Sequence, residues 1–250
     1  ACAGTPDCAR RYPGLREDWR ALLAGLPRPV TLADPLTGRA ETLTLTRELL
    51  LGAVRAPLYV PALASALPHA LTEAARGRFE ALAGLNSVLA PRAGAERLAM
   101  GLHFAVACAE DVPLVAAATD PPGRDFGDTF ARLYARACAD WPRGTVPAAF
   151  RHVGPSATPV LLLSGALDPA TPPRHGERVA RALGAQARHV VVPNVGHGVL
   201  ALGCLGEVLF RFIDAVDDGE ARAVDARCVE ALPPPPAYRP PTPEPAEAAR

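Results

Sequence analysis

The stretch from Thr158 to Leu200, TPVLLLSGALDPATPPRHGERVARALGAQARHVVVPNVGHGVL, limits what this chain can fold into more than any other part of it. The apolar run Val160 to Leu163 has the length and composition of a buried strand, and Pro159 stands at its start, where a missing N–H costs least. Thr171 can cap a helix whose first turn holds Pro172 and Pro173, and Gly184 can end it. A second apolar run, Val190 to Val192, follows. Strand, helix and strand in that order imply a parallel pair, since parallel strands need a long crossover.

Asp168 comes three residues after Gly165, at the carboxyl end of the first strand, where open α/β sheets gather ligands and catalysts. Asp-Pro is also a common turn dipeptide, so the residue alone says little. His197 lies in Pro193-Asn194-Val195-Gly196-His197-Gly198, with flanking glycines that let the backbone turn and keep side chains off the imidazole. A lone Gly-His-Gly equally suits a turn or a metal ligand. The pair is more telling, because 29 residues hold one helix and one strand and put both groups on adjacent strand ends. A neutral histidine can take a proton from a hydroxyl and return it to a leaving group, and a carboxylate fixes its tautomer. This is the layout of the last two members of a hydrolase triad.

In that architecture the nucleophile comes first, on a G-x-S-x-G elbow. The chain has four serines, Ser65, Ser87, Ser156 and Ser164. Ser65 and Ser87 lack flanking glycines, Ser156 follows a proline and precedes a strand, and Ser164 is too close to Asp168. Cys108 and Cys204 also lack elbow surroundings. Two thirds of a site are therefore legible, without a serine to complete it.

Elsewhere the chain reads as mostly helical. Arg10 to Leu26 has helical spacing with Leu15, Trp19, Leu22 and Leu23 on one side, ended by Pro27 and Pro29. A hairpin follows, Val30 and Leu32 on one arm and Leu43 and Leu45 on the other, with Asp34-Pro35 and Gly38 in the turn. Thr46 can cap a helix from Arg47 towards Leu58. Helical segments are expected at Ala62 to Ala75, Gly77 to Leu89, Ala95 to Cys108 and Phe126 to Cys138, separated by clusters such as Pro121-Pro122-Gly123, with no strand between residues 60 and 140. Trp141 to Gly154 reads as a loop. A last helix, roughly Gly206 to Val216, carries Leu209, Phe212, Ile213 and Val216 on an apolar face. The tail from Pro233 holds eight prolines in eighteen residues and is expected to be extended or disordered. The division expected is a helical cap with its hairpin near 28–45 over residues 1–150, an α/β segment over 151–232, and the proline-rich tail over 233–250.

Composition excludes more than it proves. Net charge is zero, so no general electrostatic pull favours nucleic acid or an anionic membrane, and no apolar run approaches the length of a spanning helix. No HExxH, CxxC or clustered ligand set is present, which argues against a metal. The absence of GxGxxG and GxxxxGK[ST] argues against nucleotide phosphates, so no cofactor is expected. His69, His103 and His152 have no companion ligands, and His175 and His189 read as helix and strand-edge positions. Six cysteines form three neighbouring pairs, Cys2 with Cys8, Cys108 with Cys138 and Cys204 with Cys228, among fifteen possible connectivities. Bridges would favour a secreted or periplasmic setting, whereas unbridged cysteines would be small buried hydrophobes. The opening residues, without methionine or a signal segment, read like the middle of a protein or a processed chain.

The motifs PVLLLSGALDPATPPRHGERVARAL and VVPNVGHGVL, with the GC at 203–204 and the later CVEALPPPP, resemble the C-terminal half of tripeptidyl-aminopeptidase-like α/β-hydrolases, related to proline iminopeptidases. CAEDVP, CADWPRG and the opening cysteine pair extend the likeness more loosely over the cap. The resemblance implies a partial α/β-hydrolase fold: the C-terminal strands and helices of the parallel sheet with a helical cap, the N-terminal half with the nucleophile elbow being absent. It implies that Asp168 and His197 are the triad acid and base, that Cys204 and Cys228 are bridged, and that cap acids matching Glu110 and Asp111 bind the substrate's amino terminus. The partners implied are a small peptide or ester substrate and the missing hydrolase half, in the same polypeptide or a separate chain. A noncatalytic remnant that keeps the cap is the alternative.

Overall fold

Pro13 and Gly14 interrupt the first helical stretch, so the expected single helix is two, α1 (Pro6–Arg11) and α2 (Leu15–Ala24). The computed structural model describes residues 2–34, 36–88, 99–118 and 126–241. Leu22 of α2 is buried, with Leu15, Trp19 and Leu23 packed around it as the spacing predicts. The Leu26–Pro27 peptide is cis.

The hairpin forms as expected, with β1 (Arg28–Ala33) antiparallel to β2 (Ala40–Leu45) and Val30 opposite Leu43. The Asp34 carboxylate accepts bonds from the N–H groups of Leu36 and Thr37 and from the Thr37 hydroxyl, and Gly38 takes a φ of 71°. Pro35 lies outside the described residues. Thr46 caps α3 (Arg47–Arg55) by accepting from the Leu49 N–H. Pro57 stops α3 short of Leu58, and a 3-10 turn over Ala56–Tyr59 continues the chain.

The remaining helices before residue 140 are shorter than their sequence spacing implied. They are α4 (Pro61–Ala64), α5 (Leu67–Ala75), α6 (Glu80–Ser87), α7 (Met100–Glu110) and α8 (Thr129–Ala139). The predicted ends at Leu89 and Ala95, and the Pro121-Pro122-Gly123 break, lie outside the described residues. Among the described residues between 60 and 140 there is no strand. Leu22, Val30, Leu45, Leu50, Val54, Leu71 and Phe79 build one core from α2, the hairpin, α3, α5 and the entry to α6.

Helix α7 and the 3-10 turn after it make an 18-residue stretch, Met100–Ala117, long and apolar enough by length and composition to cross a membrane. This differs from the expectation from unbroken apolar runs, because His103, Glu110 and Asp111 interrupt the stretch. Only 11% of it is buried, and it carries Glu110 and Asp111 at its break in α-geometry. A disulfide from Cys108 to Cys138 ties it to α8.

The α/β segment is a two-stranded parallel sheet, β3 (Val160–Gly165) beside β4 (Ala187–Val192), with Val160 opposite Ala187 and Gly165 opposite Val192. Helix α9 (Pro173–Leu183) makes the crossover and packs on both strands. Gly184, at a φ of 76°, ends it. The last helices are α10 (Leu205–Ile213) and α11 (Asp218–Arg222). The buried face of α10 is Leu205 and Val208, with Phe212 partly covered, while Ile213 and Val216 are exposed and Leu209 lines an open cavity. The predicted apolar face is thus rotated, because β4 and the returning segment near Val224 and Val229 cover the other side.

Cys204 is joined to Cys228, and Cys2 to Cys8. The three disulfides span Cα separations of 5.1, 5.1 and 6.4 Å, within the usual range. They are compatible with an extracellular location. The first part of the proline-rich tail is not loose. Residues 233–241 run back over the N-terminal helices, where the Tyr238 N–H bonds the Ser65 carbonyl and the Tyr12 hydroxyl bonds the Tyr238 carbonyl. Proline supplies no N–H, so an extended tail needs few partners, and the aromatic residue among the prolines provides the anchor. The remainder, 242–250, lies outside the described residues.

Candidate active site

The carboxyl ends of β3 and β4 bring Asp168 and His197 together. Beyond β3 the chain stays tied to β4, with the Ala166 N–H on the Val192 carbonyl and the Leu167 N–H on the Val195 carbonyl. The Asp168 N–H closes the turn onto Gly165. His197 Nδ1 lies 2.9 Å from Asp168 Oδ2. The aspartate side chain is 5% exposed and the histidine 45%, so the acid is locked away and the imidazole faces outward.

Asp168 is over-supplied with donors. Oδ1 accepts from the N–H groups of Ala170 and Thr171, at 2.7 and 2.9 Å, and Oδ2 accepts from the Thr171 hydroxyl at 2.7 Å as well as facing His197. Burial pushes its pKa up, but the bonds from Thr171, Ala170 and His197 outweigh burial and hold the carboxyl at about 2. Thr171 is therefore not the helix cap that its sequence position predicts. Pro172 takes that place, without a capping side chain, and the threonine hydroxyl is spent on the carboxylate. An acid so fixed stays ionised, holds the proton of His197 on Nδ1 and leaves Nε2 as the lone-pair nitrogen. Nε2 has no hydrogen-bond partner among the described residues.

Two glycines are needed here for close approach. A Cβ on Gly165 would stand 2.1 Å from the Gly196 carbonyl oxygen, and one on Gly196 would stand 2.4 Å from the Tyr59 carbonyl oxygen. The reason for Gly196 therefore differs from the crowding of the imidazole expected from the sequence. It admits the backbone of the 56–59 turn, whose Tyr59 carbonyl accepts the His197 N–H at 2.9 Å. The Tyr59 ring meets the imidazole edge-on, with centroids 5.2 Å apart. Tyr59 stands in the run Pro57-Leu58-Tyr59-Val60-Pro61, which carries no sequence signal of a site, since its role depends on a contact with His197, 138 positions along the chain, and Arg55 beside it carries no signal either.

A cavity of about 920 Å³ opens at this pair. Its wall is the whole of β3, together with Asp168, Thr171, His197 and Leu209. Among the described residues β3 pairs on one side alone, with β4, so its other edge borders the cavity.

The four serine hydroxyls are all engaged elsewhere. Ser65 donates to the Ala62 carbonyl, Ser87 to that of Gly84 and Ser156 to that of Thr158, while Ser164 lies 2.9 Å from His189 Nε2. Burial lowers the pKa of His189, with Glu177 opposing, and this keeps the His189–Ser164 pair neutral as a bond between strands under α9. His103 bonds the Tyr134 hydroxyl and His175 lies against Arg178. Among the described residues no group of His, Cys, Asp and Glu could hold a metal ion. Glu110 and Asp111 stand at the C-terminal end of α7, and neither lines the cavity at His197.

A depressed acid and a histidine whose Nε2 has no partner among the described residues thus stand together at the carboxyl ends of a parallel strand pair, an arrangement compatible with a partial α/β fold. Residues 123–228 match the α/β-hydrolase family described as TAP-like protein, which is consistent with a TAP-like C-terminal region over that part of the chain. The match spans both site residues, β3, β4 and the Cys204–Cys228 bridge. No curated protein and no solved structure matches the chain.

Proposed function

We propose that this chain supplies the acid and base of a serine hydrolase, an exopeptidase of aminopeptidase type acting on short peptides, with an esterase of the same fold as the nearest variant. The observation that carries the reading is the Asp168–His197 bond, with Nε2 open towards the cavity. The nucleophilic serine would come from a G-x-S-x-G segment outside these 250 residues, and a strand of that segment would pair with the bare edge of β3. The engaged state of the four serines and the uncovered side of α10 at Leu209 support this.

In the first half-reaction Nε2 removes the serine proton as the hydroxyl oxygen bonds to the substrate carbonyl carbon. The carbonyl π electrons move to its oxygen. When they return, the bond to the amine or alcohol breaks, and the leaving group takes the proton from Nε2. Water then repeats the sequence on the acyl-enzyme and releases the acid. Asp168 keeps the imidazolium stabilised and oriented throughout. Three disulfides support a secreted or periplasmic site of action.

A fluorophosphonate probe should label the polypeptide or complex that joins this chain to its G-x-S-x-G segment, and not the chain alone. Labelling that survives His197→Ala in that assembly would overturn the assignment. A noncatalytic reading has one observation in its favour, the same engaged serines, and it predicts no labelling in any assembly.

A further inference from the structure

Arg55 closes α3 with a half-buried guanidinium that has no carboxylate or carbonyl partner among the described residues. Its charged carbon sits 5.4 Å from the centre of the Tyr59 ring, whose far contact is the His197 imidazole at 5.2 Å between ring centres. The guanidinium is therefore two ring contacts away from the site histidine. It lines a hollow of about 400 Å³ shared with Gly52, Ala56, Tyr59 and Phe130, and also lines a larger neighbouring hollow of about 870 Å³.

The acid nearest to serving as its counter-ion is Glu48, which lines the larger hollow. That carboxyl is held below its ordinary range first by its own backbone N–H and the Thr46 hydroxyl, and the cations it senses are Arg132 and Arg47, not Arg55. A guanidinium with five donors, stacked on an aromatic face and lining the smaller hollow, whose other walls are Gly52, Ala56, Tyr59 and Phe130, is fitted to a planar anion that it can grip with two parallel bonds. Both ends of the groove are fixed by the fold. Tyr59 is held by its carbonyl bond to the His197 N–H, and Phe130 belongs to α8, which the Cys108–Cys138 bridge anchors.

We propose that Arg55 is a substrate-binding residue that takes the free carboxylate of a short peptide, with Tyr59 and Phe130 as the apolar walls of the same subsite. This rests on the hydrolase reading in so far as it makes His197, reached past the Tyr59 ring, the reacting end. At roughly 3.5 Å per extended residue, the two ring contacts reach no further than about three residues, which limits the substrate to a short peptide with its C-terminal carboxylate at Arg55. Longer chains would have to bend out of the groove between α3 and α8.

The test uses the isotope-labelled chain and two probes, the tripeptide Ala-Ala-Phe as free acid and as C-terminal amide. The free acid should bind at least ten-fold more tightly, moving the Arg55 Nε–H and His197 imidazole resonances together. Arg55→Gln should abolish the difference between acid and amide, and Arg55→Lys should keep part of it, because a point charge remains without the fork. Equal affinity for acid and amide, or an acid preference that persists in Arg55→Gln, would overturn the proposal. Should Arg55→Gln misfold, the wild-type Arg55 Nε–H shift and the Lys variant still decide. Acid-selective binding in a protein never labelled by fluorophosphonate would overturn the hydrolase reading alone, and equal binding with intact His197-dependent labelling would overturn the Arg55 assignment alone.

Discussion

Replacing Asp168 with asparagine tests the Asp168–His197 pair without needing a nucleophile. The carboxyl is held at about 2 against an ordinary value of 3.8. At roughly 1.4 kcal/mol per pH unit, that depression corresponds to stability on the order of 2 kcal/mol at neutral pH. The pKa is lowered in the folded state, so the contribution is fully present above about pH 4 and is lost as the pH falls through about 2. Wild type should therefore lose its advantage over Asp168→Asn across that window, which urea unfolding at a series of pH values would measure.

The substitution should also change which nitrogen of His197 carries the proton. If the asparagine oxygen keeps the two backbone N–H bonds now made to Oδ1, its NH₂ faces Nδ1, which must then accept. The proton moves to Nε2, and the base is lost. Nitrogen shifts of the imidazole should report Nδ1–H in the neutral wild type and Nε2–H in the variant. In the active assembly the rate should fall by about four orders of magnitude, the scale of such a change in a triad. An unchanged tautomer, or a variant with the same acid limb as wild type, would refute the reasoning.

Gly165→Ala should separate the acid from the histidine, since its Cβ would collide with the Gly196 carbonyl 2.1 Å away, and loss of the His197 Nδ1–H signal would show it. Leu50, fully buried in the core of the N-terminal helices and hairpin, should cost about 2–5 kcal/mol when changed to alanine, read from the urea midpoint. Opening the bridge with Cys204→Ala and Cys228→Ala together should cost roughly 3 kcal/mol, and a reducing agent should lower the melting temperature of wild type but barely that of the pair variant beyond its two remaining bridges. The edge of β3 that is unpaired among the described residues and the half-covered Leu209 should make the chain alone associate with concentration, visible by sedimentation.

Much of the α/β segment was legible in the sequence, because its elements are announced locally. Apolar runs at Val160 and Val190 with a helix between them leave one arrangement open to a crossover, so the meeting of Asp168 and His197 needed no distant information. The hairpin and the Thr46 cap were legible for the same reason, since turn residues and caps act over three or four positions. Helix lengths in the cap were overestimated because spacing marks an apolar face but does not register each proline or glycine that interrupts it.

What the tertiary structure alone decided lies between segments far apart in the chain. Thr171 reads as a cap in the sequence and becomes a carboxylate donor once Asp168 is folded against it. Gly196 reads as a flexible turn residue, and its necessity comes from the Tyr59 backbone, more than a hundred residues upstream. Tyr59 and Arg55 carry no motif, yet the Tyr59 ring stands between the Arg55 guanidinium and the His197 imidazole. Tyr238 reads as part of a loose tail and is pinned to Tyr12 and Ser65. The sequence determined which acid and which histidine face each other, since a strand–helix–strand unit is a local construction. The fold decided what stands beside them, because packing partners are chosen by shape and unmet hydrogen bonds across the whole chain.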